Sequence, residues 1–160
     1  MATPIEGGGL HVHAAGIDDG EHVLLFPGVT GAGKATIARL WRAHSRGKVL
    51  SEQRNLIRIR GGEPFLYESA ERNGTGPSSP GAPLAAVFFL QQSTLNQTVP
   101  VSPDAAALEL VARTLPEDAD LDDAADALAT AERVTARVRC YRLLFRADSG
   151  AIDAVKEALA

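Results

Sequence analysis

An α/β domain with a mixed sheet and flanking helices is the fold class this sequence predicts. Three observations predict it. Short apolar or alternating runs recur along the chain, separated by segments of helical periodicity. One apolar run, Val23-Leu24-Leu25-Phe26, passes through a Gly-rich turn directly into an amphipathic stretch. Another, Leu84 to Leu90, is nearly all apolar, as a strand buried on both faces is. The 160 residues suit a single domain spanning 1–160, long enough to build a core without staples.

Composition narrows the classes further. The net charge is −4, and the arginines are scattered, with no basic run or aromatic-interleaved patch for nucleic acid. Cys140 is the only cysteine, so there is no disulfide framework and no Cys-based metal site. It lies in an apolar strand-like run and is expected to be buried and inert. No segment is long enough to span a membrane, and Met1 to Gly9 lacks the charged and apolar regions of a signal peptide. A soluble, cytoplasmic protein is the expectation.

In chain order, Leu10 to Ile17 alternates as a strand, Asp18-Asp19-Gly20 turns, and His22 to Phe26 returns, making a hairpin. His11 and His13 share one strand face, but no third metal ligand is near them in sequence, so no metal site is assigned. Gly28-Val29-Thr30-Gly31-Ala32-Gly33-Lys34 then has the frame of a phosphate-binding loop. Glycines let the backbone curl so that successive N–H groups face an anion, and the following helix adds its open N-terminus. Gly28, Thr30, Gly31, Ala32, Gly33, Lys34, Ala35 and Thr36 are the candidate binding residues, with Lys34 as the point charge.

One position departs from the frame. The hydroxyl that normally ligates Mg²⁺ should follow the Lys, and Ala35 has none. Thr36 is one helical step, about 100°, further round. Ala35 to Ser45 reads as a helix burying Ile37, Leu40 and Trp41, with Arg39, Arg42 and Arg46 outward and Gly47 closing it.

Lys48 to Ser51 reads as a short strand beside the strand that feeds the loop, ending in Glu52-Gln53-Arg54. Strand ends of this kind carry chemistry in α/β proteins, and Glu52 is the acid available to hold a metal or accept a proton. Asn55 to Arg60 alternates, Gly61-Gly62 turns, and Pro64 to Tyr67 returns. Residues 71–83 concentrate Gly, Pro and Asn and read as a mobile loop, either a substrate lid or simply disordered.

After Leu90, Gln91 to Val101 reads as a polar connection. Ser102-Pro103-Asp104 starts a helix whose buried stripe is Leu108, Val111 and Leu115. Leu121 to Ala136 is an Ala-rich, acidic helix. Its Asp118, Asp120, Asp122, Asp123 and Asp126 lack calcium-loop spacing and read as a solvated helix start. Val138 to Phe145 is a strand, and Ser149 caps a last helix with Ile152, Val155 and Leu159 inward.

The order of these features resembles one family. His13-Ala14-Ala15, Leu24-Leu25-Phe26, Gly28 to Thr36 and Leu50-Ser51-Glu52-Gln53-Arg54 are similar to the catalytic domain of HPr kinase/phosphorylase and its smaller relatives. These share a fold with phosphoenolpyruvate carboxykinase. Ala85 to Leu90 and Tyr141 to Phe145 also look like the smaller relatives, so the likeness covers roughly residues 8–146.

The resemblance implies a P-loop fold, ATP or another nucleotide with Mg²⁺ as cofactors, and phosphoryl transfer to a Ser hydroxyl of a protein or peptide. It also implies homo-oligomer formation, since the family often assembles. Glu52, His13 and Arg54 match its catalytic positions, and Lys34 its phosphate-binding Lys. Departures fall on the chemistry: Ala35 replaces Ser, and Glu52-Gln53 replaces a pair of Asp. Two readings follow, a kinase with an impaired metal site or a non-catalytic scaffold or nucleotide sensor of the same fold.

Overall fold

A computed structural model describes residues 5–29, 31–68, 81–114 and 120–160, the first four of these by backbone alone. Among them the chain is mixed α/β, with a mixed sheet and four helices. In order these are β1 (Ile5–Asp18), β2 (Val23–Pro27), α1 (Lys34–His44), β3 (Lys48–Ser51), β4 (Arg54–Arg60), β5 (Glu63–Glu68) and β6 (Ala82–Gln92). Then follow β7 (Gln97–Pro100), α2 (Pro103–Ala112), α3 (Leu121–Thr135), β8 (Arg139–Phe145) and α4 (Gly150–Leu159).

The first strand organises the sheet. Its second half pairs antiparallel with β2 on one side, Ala14 opposite Pro27 through Asp18 opposite Val23, and with β3 on the other. Its first half pairs with β4. β6 is the central parallel strand, between β2 and β8. The start of β6 also meets β5, so β2, β1, β4, β5 and β6 close into a ring of paired strands. The expected place of Lys48–Ser51 is corrected here: β3 lies against β1, not beside the strand that feeds the loop.

Alternation along the strands sorts two cores. Val23, Leu25, Val87 and Phe89 face α2 and α3, while Leu24, Phe26, Phe88 and Leu90 face α1 and α4. On the second side Phe26 packs on Trp41 at 5.7 Å and on Phe88 at 5.4 Å, and Phe88 stacks on Tyr141 at 5.1 Å. Each such buried aromatic contributes about 1.5–3 kcal/mol. Together they tie β2, α1, β6 and β8 into one unit just behind the glycine-rich turn.

Helix ends show how local chemistry acts. Ser102 accepts from the Ala105 N–H with Pro103 at the first position, and Asp120 and Asp123 form a reciprocal capping box, as their residue types predict. Other expectations are corrected. α1 ends at Ser45 in extended backbone rather than at Gly47. A Cβ on Gly47 would sit 2.6 Å from the Asp18 carbonyl, so its smallness serves close packing. Ser149 stands at the start of α4 without a side-chain cap, and Asp148 accepts the Gly150 N–H instead.

Leu108 is 62 % exposed and Val111 half-buried, while Ala106, Ala107 and Leu110 face the core. Small residues bring α2 close to its neighbours, and a stripe read from large side chains alone points the wrong way. Leu115 lies outside the described residues. The polar connection after Leu90 contains β7, which among the described residues is an edge strand paired only with β8. Pro100 fits there because an edge needs no second set of donors. The loop expected over 71–83 falls mostly outside the described residues, but Ala82 and Pro83 already belong to β6. Among the described residues no helix is long and apolar enough to cross a membrane.

Cys140 is buried as expected, and burial pushes its thiol up to about 12 from 9.0. The folded chain keeps a proton that the unfolded chain loses above about pH 9. That stabilisation is full below pH 9 and is lost as pH rises towards 12. The urea midpoint is expected to fall across this window, and to fall less in Cys140→Ala. Equal falls in both proteins would refute the assignment.

Candidate functional site

β2, β6 and β8 run parallel, and their carboxyl ends lie at one edge of the sheet. Ligands of open α/β sheets bind beyond such ends. β2 delivers the chain to Gly28, whose N–H donates to the His13 carbonyl at 3.2 Å. The turn closes with Ala32 N–H donating to the Val29 carbonyl at 2.9 Å. Gly31 and Gly33 take φ of 85° and 114°, left-handed values that favour glycine. Thr30 lies outside the described residues.

α1 begins at Lys34, and its first helical bond runs from Ile37 N–H to the Gly33 carbonyl. The amides of Lys34, Ala35 and Thr36 precede that bond and have no intrahelical acceptor. Unlike α2 and α3, α1 has neither a side-chain cap nor an acid in its first turn. The open end keeps its positive dipole and its donors for whatever enters the cleft.

Lys34 curls back over the loop. Its Nζ donates to the carbonyls of Gly28 at 2.8 Å and Val29 at 3.0 Å. An ammonium carries three donors, so one remains. Burial, and then the charge of Arg113, hold its pKa below the ordinary 10.5.

The cleft in front of the loop measures about 390 Å³. The loop contributes Gly31, Gly33 and Lys34, the helix contributes Ala35 and Thr36, and strand ends contribute Glu52, Gln53 and Gln92. Ala35 and Thr36, at the open start of α1, both line the cleft. Of the other candidates, Gly28 and Ala32 shape the turn rather than line the cleft: a Cβ on Gly28 would sit 2.8 Å from the Ala32 Cβ.

His13 and Arg54 are register partners across β1 and β4. They sit together at the margin of the loop, and neither lines the cleft. His13 acts on the loop through its backbone, accepting from Gly28. The Ala14 N–H donates to the Gln53 carbonyl at 3.0 Å, and Ser51 Oγ accepts from Gln53 and Arg54 N–H. The end of β3 is thereby pinned to β1, which brings Glu52 to the cleft.

Two residues near the loop were missed from sequence. Gln92, at the end of β6, donates from Nε2 to the Gly31 carbonyl at 2.7 Å. Its signal was position, the carboxyl end of a fully buried strand. Arg113 follows α2, and its carbonyl accepts the His13 N–H at 2.9 Å. Nothing local in the sequence points to Arg113, because packing alone brings it there.

The donor set fits a divalent cation poorly. Among the described residues, Ala35 has no side-chain oxygen, Gln53 is neutral, and Glu52 is the single carboxylate lining the cleft. Glu52 is paired with Arg42 at 3.2 Å. Among the described residues no cluster of three or more His, Cys, Asp or Glu could hold a metal. Mg²⁺ prefers one or two carboxylates in addition to phosphate oxygens, and here the one available already faces a guanidinium.

No family model matches the chain, and no curated protein matches it.

Proposed function

We propose that the chain is an HPr-kinase-like P-loop domain that binds a nucleotide through its phosphates, in a site derived from ATP-dependent phosphoryl transfer to serine. The observation that carries this reading is the junction of β2 and α1. An uncapped helix N-terminus, two left-handed glycines and the Lys34 ammonium converge on one cleft beyond the parallel strand ends. That is the chemistry of a phosphate cradle. Ala35, Gln53 and the Arg42–Glu52 pair favour binding without efficient transfer, since metal neutralises charge in that reaction.

A second reading, a kinase for a Ser-bearing protein or peptide, is favoured by Glu52 lining the same cleft as Lys34. Calorimetric titration of ATP and ADP tests the common part, with saturable binding at one site as the expected result. Absence of heat with both would overturn it. The triple change Ala35→Ser, Glu52→Asp and Gln53→Asp separates the two readings. Kinase or ATPase activity gained only in the restored protein supports the binding domain, and turnover by the unaltered chain supports the kinase.

A further inference from the structure

We propose that Gln92 is the positioning residue of the glycine-rich turn, setting its curl for an anion from the end of β6. The inference rests on the nucleotide-binding reading and specifies how that site is held ready.

The turn lies against the carboxyl ends of β6 and β8. A Cβ on Gly28 would stand 3.6 Å from the Leu90 Cβ, and one on Gly33 would enter the Phe145 ring. Packing therefore backs these two glycines. Gly31, at φ 85°, has no such backing: among the described residues, nothing lies within 4 Å of the place its Cβ would take. A hydrogen bond reaches it instead, from Gln92 Nε2 to the Gly31 carbonyl at 2.7 Å.

Gln92 offers a fixed point for that bond. It shares a face of β6 with Leu90, two residues earlier, and its register partner on β8 is Phe145. The next residue, Ser93, donates its N–H to the Phe145 carbonyl at 2.8 Å. One rung of the parallel sheet thus carries both the ring beside Gly33 and the amide that holds Gly31.

The bond completes a clamp on one peptide unit. At its other end, the Ala32 N–H donates to the Val29 carbonyl at 2.9 Å. A peptide is planar, so a bond at each end fixes its orientation. That sets the direction in which the chain enters Gly33 and the open start of α1. A glycine without such a clamp visits left- and right-handed backbone about equally, and the amides beyond it must then be ordered when the anion arrives. Gln92 and Gly31 both line the cleft, so the bond also engages a carbonyl dipole that would oppose an anion at the margin.

The test uses two variants of the full chain. Gln92→Met keeps the length without a donor, and Gln92→Asn keeps the amide but shortens its reach. ADP and pyrophosphate are titrated calorimetrically, and amide hydrogen exchange is followed by NMR in the unliganded proteins. Both variants are expected to lose about 3- to 10-fold in affinity, by the same factor for both probes, because the phosphate cradle is what changes. The Ala32 amide is expected to exchange about 3- to 10-fold faster, with the urea midpoint unchanged.

Affinity unchanged in Gln92→Met overturns the proposal and leaves the nucleotide reading intact. So does affinity lost with Ala32 exchange unaltered, which would make Gln92 a direct ligand contact. A loss that tracks a lowered urea midpoint also overturns it, by showing a general structural role. No binding of either probe to the unaltered chain overturns the nucleotide reading, and the proposal with it.

Discussion

Gly33→Ala is expected to destabilise the fold by about 2–5 kcal/mol and to abolish binding at the cleft. Two costs add. Gly33 stands at φ 114° before the first turn of α1, where a side chain costs about 1–2 kcal/mol. A Cβ there would also drive into the ring of Phe145, which is 2 % exposed and packed between α1 and α4. Overpacking such a site costs about 1–3 kcal/mol. Since Phe145 ends β8, displacing it also moves the sheet edge that carries the cleft. Gly20→Ala is the control, because Gly20 has φ 96° but open space around its would-be Cβ. Urea unfolding of both proteins isolates the ring clash. Equal midpoints would show that Phe145 yields freely and that the second cost is absent.

Lys34→Ala is expected to weaken ADP and ATP binding by about 30–150-fold, or about 2–3 kcal/mol, with stability changed by less than about 1 kcal/mol. The asymmetry has a physical source. In the fold the ammonium makes two bonds to loop carbonyls but is disfavoured by burial and by Arg113, so its contribution to stability is small. Towards a phosphate the same burial strengthens the interaction. Calorimetry and urea unfolding on one preparation read both effects. Affinity unchanged in the variant would sink the assignment of the loop.

Much of this architecture was legible because it is local. The run Val23 to Phe26, the glycines at 31 and 33 and the amphipathic Ile37, Leu40 and Trp41 describe a strand, a left-handed turn and a half-buried helix. Each property depends on neighbours a few residues away. The cap at Ser102, the turn at Gly61-Gly62 and the burial of Cys140 were legible for the same reason. Errors came where an element's environment, rather than its own pattern, set its state. β7 buries little and shows no apolar alternation, and α2 turns its alanines inward so that Leu108 is left outside.

The candidate site divides along the same line. By itself the sequence determined the mixed α/β class, the glycine-rich turn, Lys34 and the absence of a side-chain oxygen at Ala35 and of a charge at Gln53, because identity and short-range spacing are enough for these. Only the tertiary structure decided that β3 lies against β1, that Glu52 enters the cleft already paired with Arg42, and that Gln92 meets Gly31. It alone brought Arg113 to His13 and turned Glu109 towards Arg142. These are contacts between residues far apart in the chain, set by how helices dock on the sheet, and no local preference encodes which of these groups meet.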